Sequence, residues 1–304
     1  MIAEHIICKM YDIKNPSLWM TTNYLFSCIL TIKKVLFMNT LENQMVDLLK
    51  EMRERYFLTG VKGEFECEGL QLEEMLRLKE ITVRAGVNLT IKIGGCEAIT
   101  DMQFARSIGA NQIVAPMIES AYSVKKFIGA AQTVFHPDEF EALDLLINIE
   151  TVSGLEAFSQ ILALAENVHL KGLDIGRVDL AGSMNLMPEE CNSSQVFNAC
   201  YDICGKWIKA FPQKECTLGG YLNQNSILFL RKMAKTFPVG CESKKAIFSS
   251  EAVCEDLLQK AYIKAIELER LWYANCMDRY KWLSTKNWNY YKNLDRYEMS
   301  IRSL

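Results

Sequence analysis

Histidine and proline are scarce in this chain, three and six respectively in 304 residues. The three histidines are His5, His136 and His169, and the eleven cysteines are scattered singly with no CxxC pair. Zinc-type clusters are therefore not expected. The cysteine count is odd and the chain is long, so a secreted disulfide scaffold is also unexpected; a reducing, cytoplasmic setting is. No GxGxxG or Walker-type glycine loop follows any strand-like run, which argues against a nucleotide-binding sheet. The formal net charge is only −3, so no global field calls for nucleic acid as a partner. Residues are 50% hydrophobic and 23% charged, which excludes disorder, collagen and a multi-span membrane protein. That length suits one large domain or two small ones.

Charge is also missing from Pro16 to Ile32, ahead of Lys33 and Lys34. The run is at the short edge for a membrane span and carries several polar residues, and it makes a poor signal peptide. Residues 1–37 therefore read as an atypical N-terminal extension. An over-called start, a packed arm and a membrane contact stay open, with the functional domain expected from Met38. Asn39 or Thr40 can cap a helix through Met45, Leu48, Leu49 and Met52.

From residue 58 strand-like and helix-like runs alternate. Seven β-like segments start near Gly60, Leu89, Gln112, Leu145, Leu170, Cys216 and Gly240, with the last reaching Phe248. Between them, sets such as Leu72, Met75, Leu76 and Lys79 follow helical spacing. Parallel strands need such crossovers, so the chain is expected to form an α/β (β/α)8 TIM-type barrel over 38–250. An eighth strand is either lost or placed within 20–60. From 251 the pattern is helical and ends in a tail with Trp272, Tyr273, Tyr280, Trp282, Trp288, Tyr290, Tyr291 and Tyr297 among basic residues. Such a tail can serve single-stranded nucleic acid, but packing on the barrel or a neighbouring subunit is the preferred reading. A homo-oligomer through these C-terminal helices is expected, without nucleic-acid or membrane partners.

In a parallel barrel the strand C-terminal ends carry chemistry. Glu150 ends one buried run, Asp179 stands just past another, and Lys92 stands before Gly94 and Gly95 on a third. Two carboxylates from nearby strands can hold a hard divalent cation with open positions. Strict alternation would put Lys62, Glu64, Glu66 and Glu68 on one face, an acidic wall needing compensation.

The segments GEFECEG (63–69), TIKIGGCEA (90–98), IVAPMIES (113–120), INIETVSGLEAF (147–158) and GLDIGRVDLAGSMNL (172–186) stand in this order. Together they resemble the citrate lyase β-chain and class II pyruvate-aldolase superfamily over about 58–250. The resemblance implies a barrel lyase with Mg²⁺ or Mn²⁺ held by Glu150 and Asp179. It further implies a 2-oxo acid whose enolate is stabilised by Lys92 and Arg177. Glu66 or a water on the metal would move the proton, and Gly94, Gly95 and Glu68 would bind substrate. A Schiff base on Lys92 is the lesser alternative. Two departures matter. Lys92 stands where family aldolases commonly have arginine, and no histidine occurs near Glu64 to Glu68. A carbon–carbon lyase on an oxo acid, a CoA-thioester lyase and a non-catalytic binding barrel therefore all remain as classes.

Overall fold

The computed structural model describes residues 38–302 apart from 167, 255 and 256. The expectations for 1–37 lie outside the described residues. Helix α1 (Thr40–Tyr56) turns Met45, Leu49 and Met52 into the core, as the spacing predicts. The strands are β1 (Leu58–Glu64), β2 (Asn88–Lys92), β3 (Gln112–Ala115), β4 (Asp144–Ile149), β5 (Gly172–Gly176), β6 (Glu215–Gly219), β7 (Gly240–Glu242) and β8 (Ala246–Phe248). They close into an eight-stranded barrel in sequence order.

Crossovers are made by α2 (Leu72–Ala85), α3 (Ile99–Ile108), α4 (Ala121–Val134) with α5 (Pro137–Ala142), α6 (Val152–Ala165), α7 (Arg177–Ser183) with α8 (Ser194–Ala210), and α9 (Gln224–Ala234). Local signals set their ends. The Thr151 hydroxyl accepts the Gly154 N–H at 3.0 Å and starts α6, while Gly86 ends α2 at φ +69°.

The closing strand differs from expectation. It lies neither in 20–60 nor parallel to its neighbours. β8 is the return arm of the run read as one strand from Gly240 to Phe248, and it pairs antiparallel with both β7 and β1. Three residues, Ser243 to Lys245, make the turn, and the Ser243 Oγ accepts the N–H groups of Lys245 and Ala246. No glycine or proline marks it in the sequence.

After α10 (Ser250–Cys254), helix α11 (Leu258–Arg302) runs for 45 residues. At about 1.5 Å per residue it is close to 68 Å long. Its first part buries Leu258, Ala261, Tyr262, Ala265, Leu268 and Trp272. Farther along, Tyr280 donates to Glu74 at 2.7 Å and Arg279 pairs with Glu73, both on α2. Beyond that point Trp282, Leu283, Trp288, Tyr291 and Leu294 are exposed. No described helix is long and apolar enough to cross a membrane. Cys67, Cys96, Cys191, Cys200, Cys204, Cys216, Cys241 and Cys276 are free thiols.

Candidate active site

Alternation along β1 sends Val61 and Gly63 outward and Lys62 and Glu64 into the barrel. Gly63 marks the outer face, because a Cβ there would strike Met75 and Leu78 on α2. Inside, Lys62 pairs with Glu242 on β7 and lies 3.3 Å from Glu64. Burial would lower the Lys62 pKa, but the charges of Glu242, Glu64 and Asp174 overcome it and hold the ammonium well above its ordinary range. Burial likewise opposes ionisation of Glu64, yet Lys62 and Lys92 pull its carboxyl below the ordinary value. Glu64 stays a carboxylate.

Asp174 is the exception in this interior. Burial first, then the Glu242 charge, push its pKa well above the ordinary carboxylate range. The Glu242 Oε2 beside this cluster is buried without a hydrogen-bond partner among the described residues. A carboxyl whose pKa is higher folded than unfolded keeps its proton in the fold after the unfolded chain has released it. Stability is therefore full below the unfolded value and falls as pH rises toward the folded one. Asp174→Asn is expected to gain about 1–3 kcal/mol at pH 8 and clearly less at pH 5. Urea denaturation at the two pH values measures it; an equal gain at both would refute the ionisation cost.

The mouth of the barrel holds the other charges. Glu150, just past β4, is 1% exposed. Its Oε1 accepts the Met117 N–H at 3.0 Å, and its Oε2 accepts from Lys92 Nζ at 3.2 Å and Asn148 Nδ2 at 2.6 Å. Met117 adopts φ +47°, a costly conformation for a non-glycine residue, and that bond helps to hold it. Burial raises the Glu150 pKa; Lys92 opposes this, and the Asp179 charge adds to it. Asp179, in the first turn of α7, is exposed. Gly176 completes the cradle, since a Cβ there would collide with the Glu150 carboxylate. The pair offers hard oxygen donors, one deep and one open to solvent, and glycine leaves room beside the deep one. That donor set fits a divalent cation that keeps water in its other positions. Among the described residues no group of three or more His, Cys, Asp and Glu side chains is placed to hold a metal ion.

The remaining expected residues divide. The stripe that would include Glu66 and Glu68 ends at Glu64, where β1 stops and the chain turns. Glu66 is exposed and lies against Gly94, where a Cβ would meet its side chain, so it stays at the mouth beside β2. The Gly94 N–H goes to Asp101 Oδ2 at 2.7 Å, which leaves Gly95, with nothing within 4 Å of a Cβ position, to approach a ligand. Glu68 folds back instead. Its Oε2 accepts from Lys245 Nζ and from the Glu64 N–H at 3.2 Å, and its Oε1 lies 3.4 Å from the Tyr273 hydroxyl. Lys245 lines a small void with Met45, Val61, Leu78 and Trp272, which places the pair under α11, on the outer side of β1. Arg177 is fully buried too. Its Nε donates to Gly219 O at 2.7 Å, its Nη1 to Asn192, and its guanidinium lies 4.8 Å from the Phe229 ring centroid. Sequence reasoning put both at the substrate; the structure engages Glu68 with Lys245, and Arg177 with Gly219 and Asn192, leaving the Arg177 Nη2 buried without a hydrogen-bond partner among the described residues.

Lys62, Asp174, Glu242 and Asn148 form the interior polar layer that sequence reasoning did not assign to the site. Their signal was there, as polar residues at inward positions of otherwise apolar strands. The two described histidines have structural surroundings: His169 contacts Leu143 O at 3.0 Å against the Phe140 ring, and His136 precedes α5 beside Asp138.

No protein-family model matches the sequence, and no curated protein matches it. Solved structures do match its fold. An HpcH/HpaI aldolase from Desulfitobacterium hafniense DCB-2 is 15% identical, with a TM-score of 0.51 over 73% of this chain and 88% of that one. An HpcH/HpaI aldolase/citrate lyase family protein from Burkholderia cenocepacia J2315 is 12% identical, with a TM-score of 0.52 over 74% and 90%. The citrate synthase SbnG is 13% identical, with a TM-score of 0.52 over 73% and 89%. The fold is theirs. At these identities the likeness concerns the barrel itself, and chemistry must be argued from this chain's residues.

Proposed function

We propose that this protein is a metal-dependent carbon–carbon lyase of aldolase type acting on a 2-oxo acid. The observation that carries the reading is the Lys92–Glu150 ion pair at the barrel mouth, with the Asp179 charge acting on the same carboxylate. The solved neighbours of this fold, aldolase and citrate lyase family proteins among them, support it. Mg²⁺ or Mn²⁺ held by Glu150 and Asp179 would supply a Lewis acid to the keto oxygen of the substrate. Lys92 would leave Glu150 in part to stabilise negative charge developing on that oxygen, where a preformed donor is worth most. Glu66, open to solvent, would carry the proton to or from the reacting carbon, standing in for the absent histidine. Glu64 suits this less, because Lys62 holds it ionised. Gly95 would let a substrate carboxylate come close to backbone. Arg177 is a positioning residue that fixes the start of α7, and with it Asp179.

The test is lyase activity on 2-oxo acid substrates with Mn²⁺ in Lys92 variants. Lys92→Met is expected to lose about 100-fold in kcat. Lys92→Arg should retain much of it, since the charge persists and gains a bidentate fork. Full activity in Lys92→Met would overturn the assignment. Turnover only on CoA thioesters would move the protein to the thioester lyases, and none on any substrate would favour a binding barrel.

We also propose that the exposed aromatic part of α11 joins two copies of this chain. Trp282, Trp288, Tyr291 and Leu294, all exposed on the last part of one helix, give it the composition of an interface centre. A Trp282→Ser, Trp288→Ser double variant is expected to run as a monomer in light scattering where the parent runs as a dimer or larger. A monomeric parent would refute the proposal.

A further inference from the structure

Two thiols meet behind the barrel wall. Alternation along β6 turns Cys216 outward, where its Sγ donates to the Sγ of Cys204 on α8 at 3.5 Å. A second contact holds the same register. The indole N–H of Trp207, three residues along α8 from Cys204, donates to Glu215 O at 3.0 Å. One face of α8 therefore grips two successive residues of β6. Sulfurs in a disulfide stand about 2.05 Å apart, so this pair has about 1.5 Å to close.

The two sulfurs are not equivalent. Cys204 is fully buried, whereas Cys216 keeps 4% of its surface. Cys216 also borders a cavity of about 260 Å³ at the end of the barrel opposite the mouth, together with Ile208, Lys214 and Thr217. At about 30 Å³ per water, that space admits a molecule as small as hydrogen peroxide. The hydrogen bond with Cys216, then burial, hold the Cys204 pKa well above the ordinary thiol range. Burial pushes Cys200, one turn earlier on α8, up to about 12. Both thus stay protonated and unreactive toward oxidant by themselves. The fold places an entry sulfur at the cavity and a resolving sulfur directly behind it.

We propose that Cys216 and Cys204 form a reversible disulfide driven by hydrogen peroxide. The Cys216 sulfur attacks one peroxide oxygen, the O–O bond breaks, and the other oxygen leaves with the thiol proton as water. Cys216 is then a sulfenic acid. The Cys204 sulfur attacks it, the S–O bond breaks, the S–S bond forms, and the oxygen leaves with the Cys204 proton as a second water. Two thiols and one peroxide give one disulfide and two waters, and a dithiol reductant reverses the link. This site lies outside the barrel wall and does not depend on the reading of the mouth.

The test exposes the reduced, folded full chain to hydrogen peroxide, then unfolds it in an alkylating agent and maps disulfides by fragmentation mass spectrometry. The expected product is lighter by about 2 Da, carries a Cys204–Cys216 link and regains both thiols in dithiothreitol. Cys204→Ala should lose the link and leave Cys216 as a sulfenic acid that dimedone captures. Cys216→Ala should lose the link and leave Cys204 unlabelled, while Cys200→Ala should form the link as the parent does. Thermal melts establish that each variant is folded, and the map of the parent carries the test should one unfold. Full alkylation of Cys204 and Cys216 after peroxide, a link from Cys216 to another cysteine instead, or dimedone capture at Cys204 in Cys216→Ala would overturn the proposal.

Discussion

Glu150→Gln is expected to abolish Mn²⁺ binding and to cut turnover by roughly 100- to 1,000-fold. The substitution keeps the shape of the side chain and one carbonyl oxygen, so the Met117 N–H can keep an acceptor. It removes the charge that faces Lys92 and the oxygen that accepts from both Lys92 and Asn148. A buried amide is a poor ligand for a hard cation, and Asp179 alone, exposed on α7, cannot replace it. Two measurements separate site from scaffold. Calorimetry with Mn²⁺, with and without pyruvate, reads the ligand role, and a circular-dichroism melt reads the fold. Lost metal binding with a retained melt is the expected pair; Mn²⁺ binding at wild-type affinity would remove Glu150 from the site.

Lys245→Met should be the more damaging change for stability, at about 3–5 kcal/mol. The side chains of Lys245 and Glu68 are 1% and 3% exposed, and the lysine lies 5.1 Å from the Trp272 ring centroid. Burial lowers the Lys245 pKa against the pull of Glu68, so the ion pair is held only by its geometry. Methionine would fill the volume and leave the Glu68 carboxylate without its cation. Against a total stability of about 5–15 kcal/mol the loss is large. The double variant Lys245→Met, Glu68→Gln removes both charges and keeps an acceptor for the Glu64 N–H. It should recover most of the deficit in urea denaturation. If the single variant is no less stable than the parent, the pair is ornamental.

Much of the barrel was legible because its strands are buried on both faces and its helices are not. All seven strand-like runs contain a strand, and the helical spacing that starts at Leu72 falls on α2. The eighth strand was illegible for a physical reason. It has three residues, follows β7 after a three-residue turn, and uses a serine side chain where glycine would have announced the reversal. That Lys92 and Glu150 would meet was legible because strand ends in a parallel barrel converge. The surroundings of Glu68 and Arg177 were not legible, for the opposite reason. Alternation holds only while the strand lasts, and β1 ends at Glu64. Nothing local in Arg177 reveals that Gly219, Asn192 and Phe229, all distant in sequence, will enclose it.

The late position of β8 in the sequence bears on how the chain is made. The last barrel edge to close joins Leu58 to Phe248, 190 residues downstream. At roughly 5–20 residues per second, β1 leaves the ribosome about 10–40 s before its second neighbour exists. During that interval one edge of β1 offers unpaired backbone to any strand nearby. The alternating charges of Lys62 and Glu64 make that edge a poor template for aggregation. The same residues that poise the interior thus guard the nascent chain until the hairpin arrives.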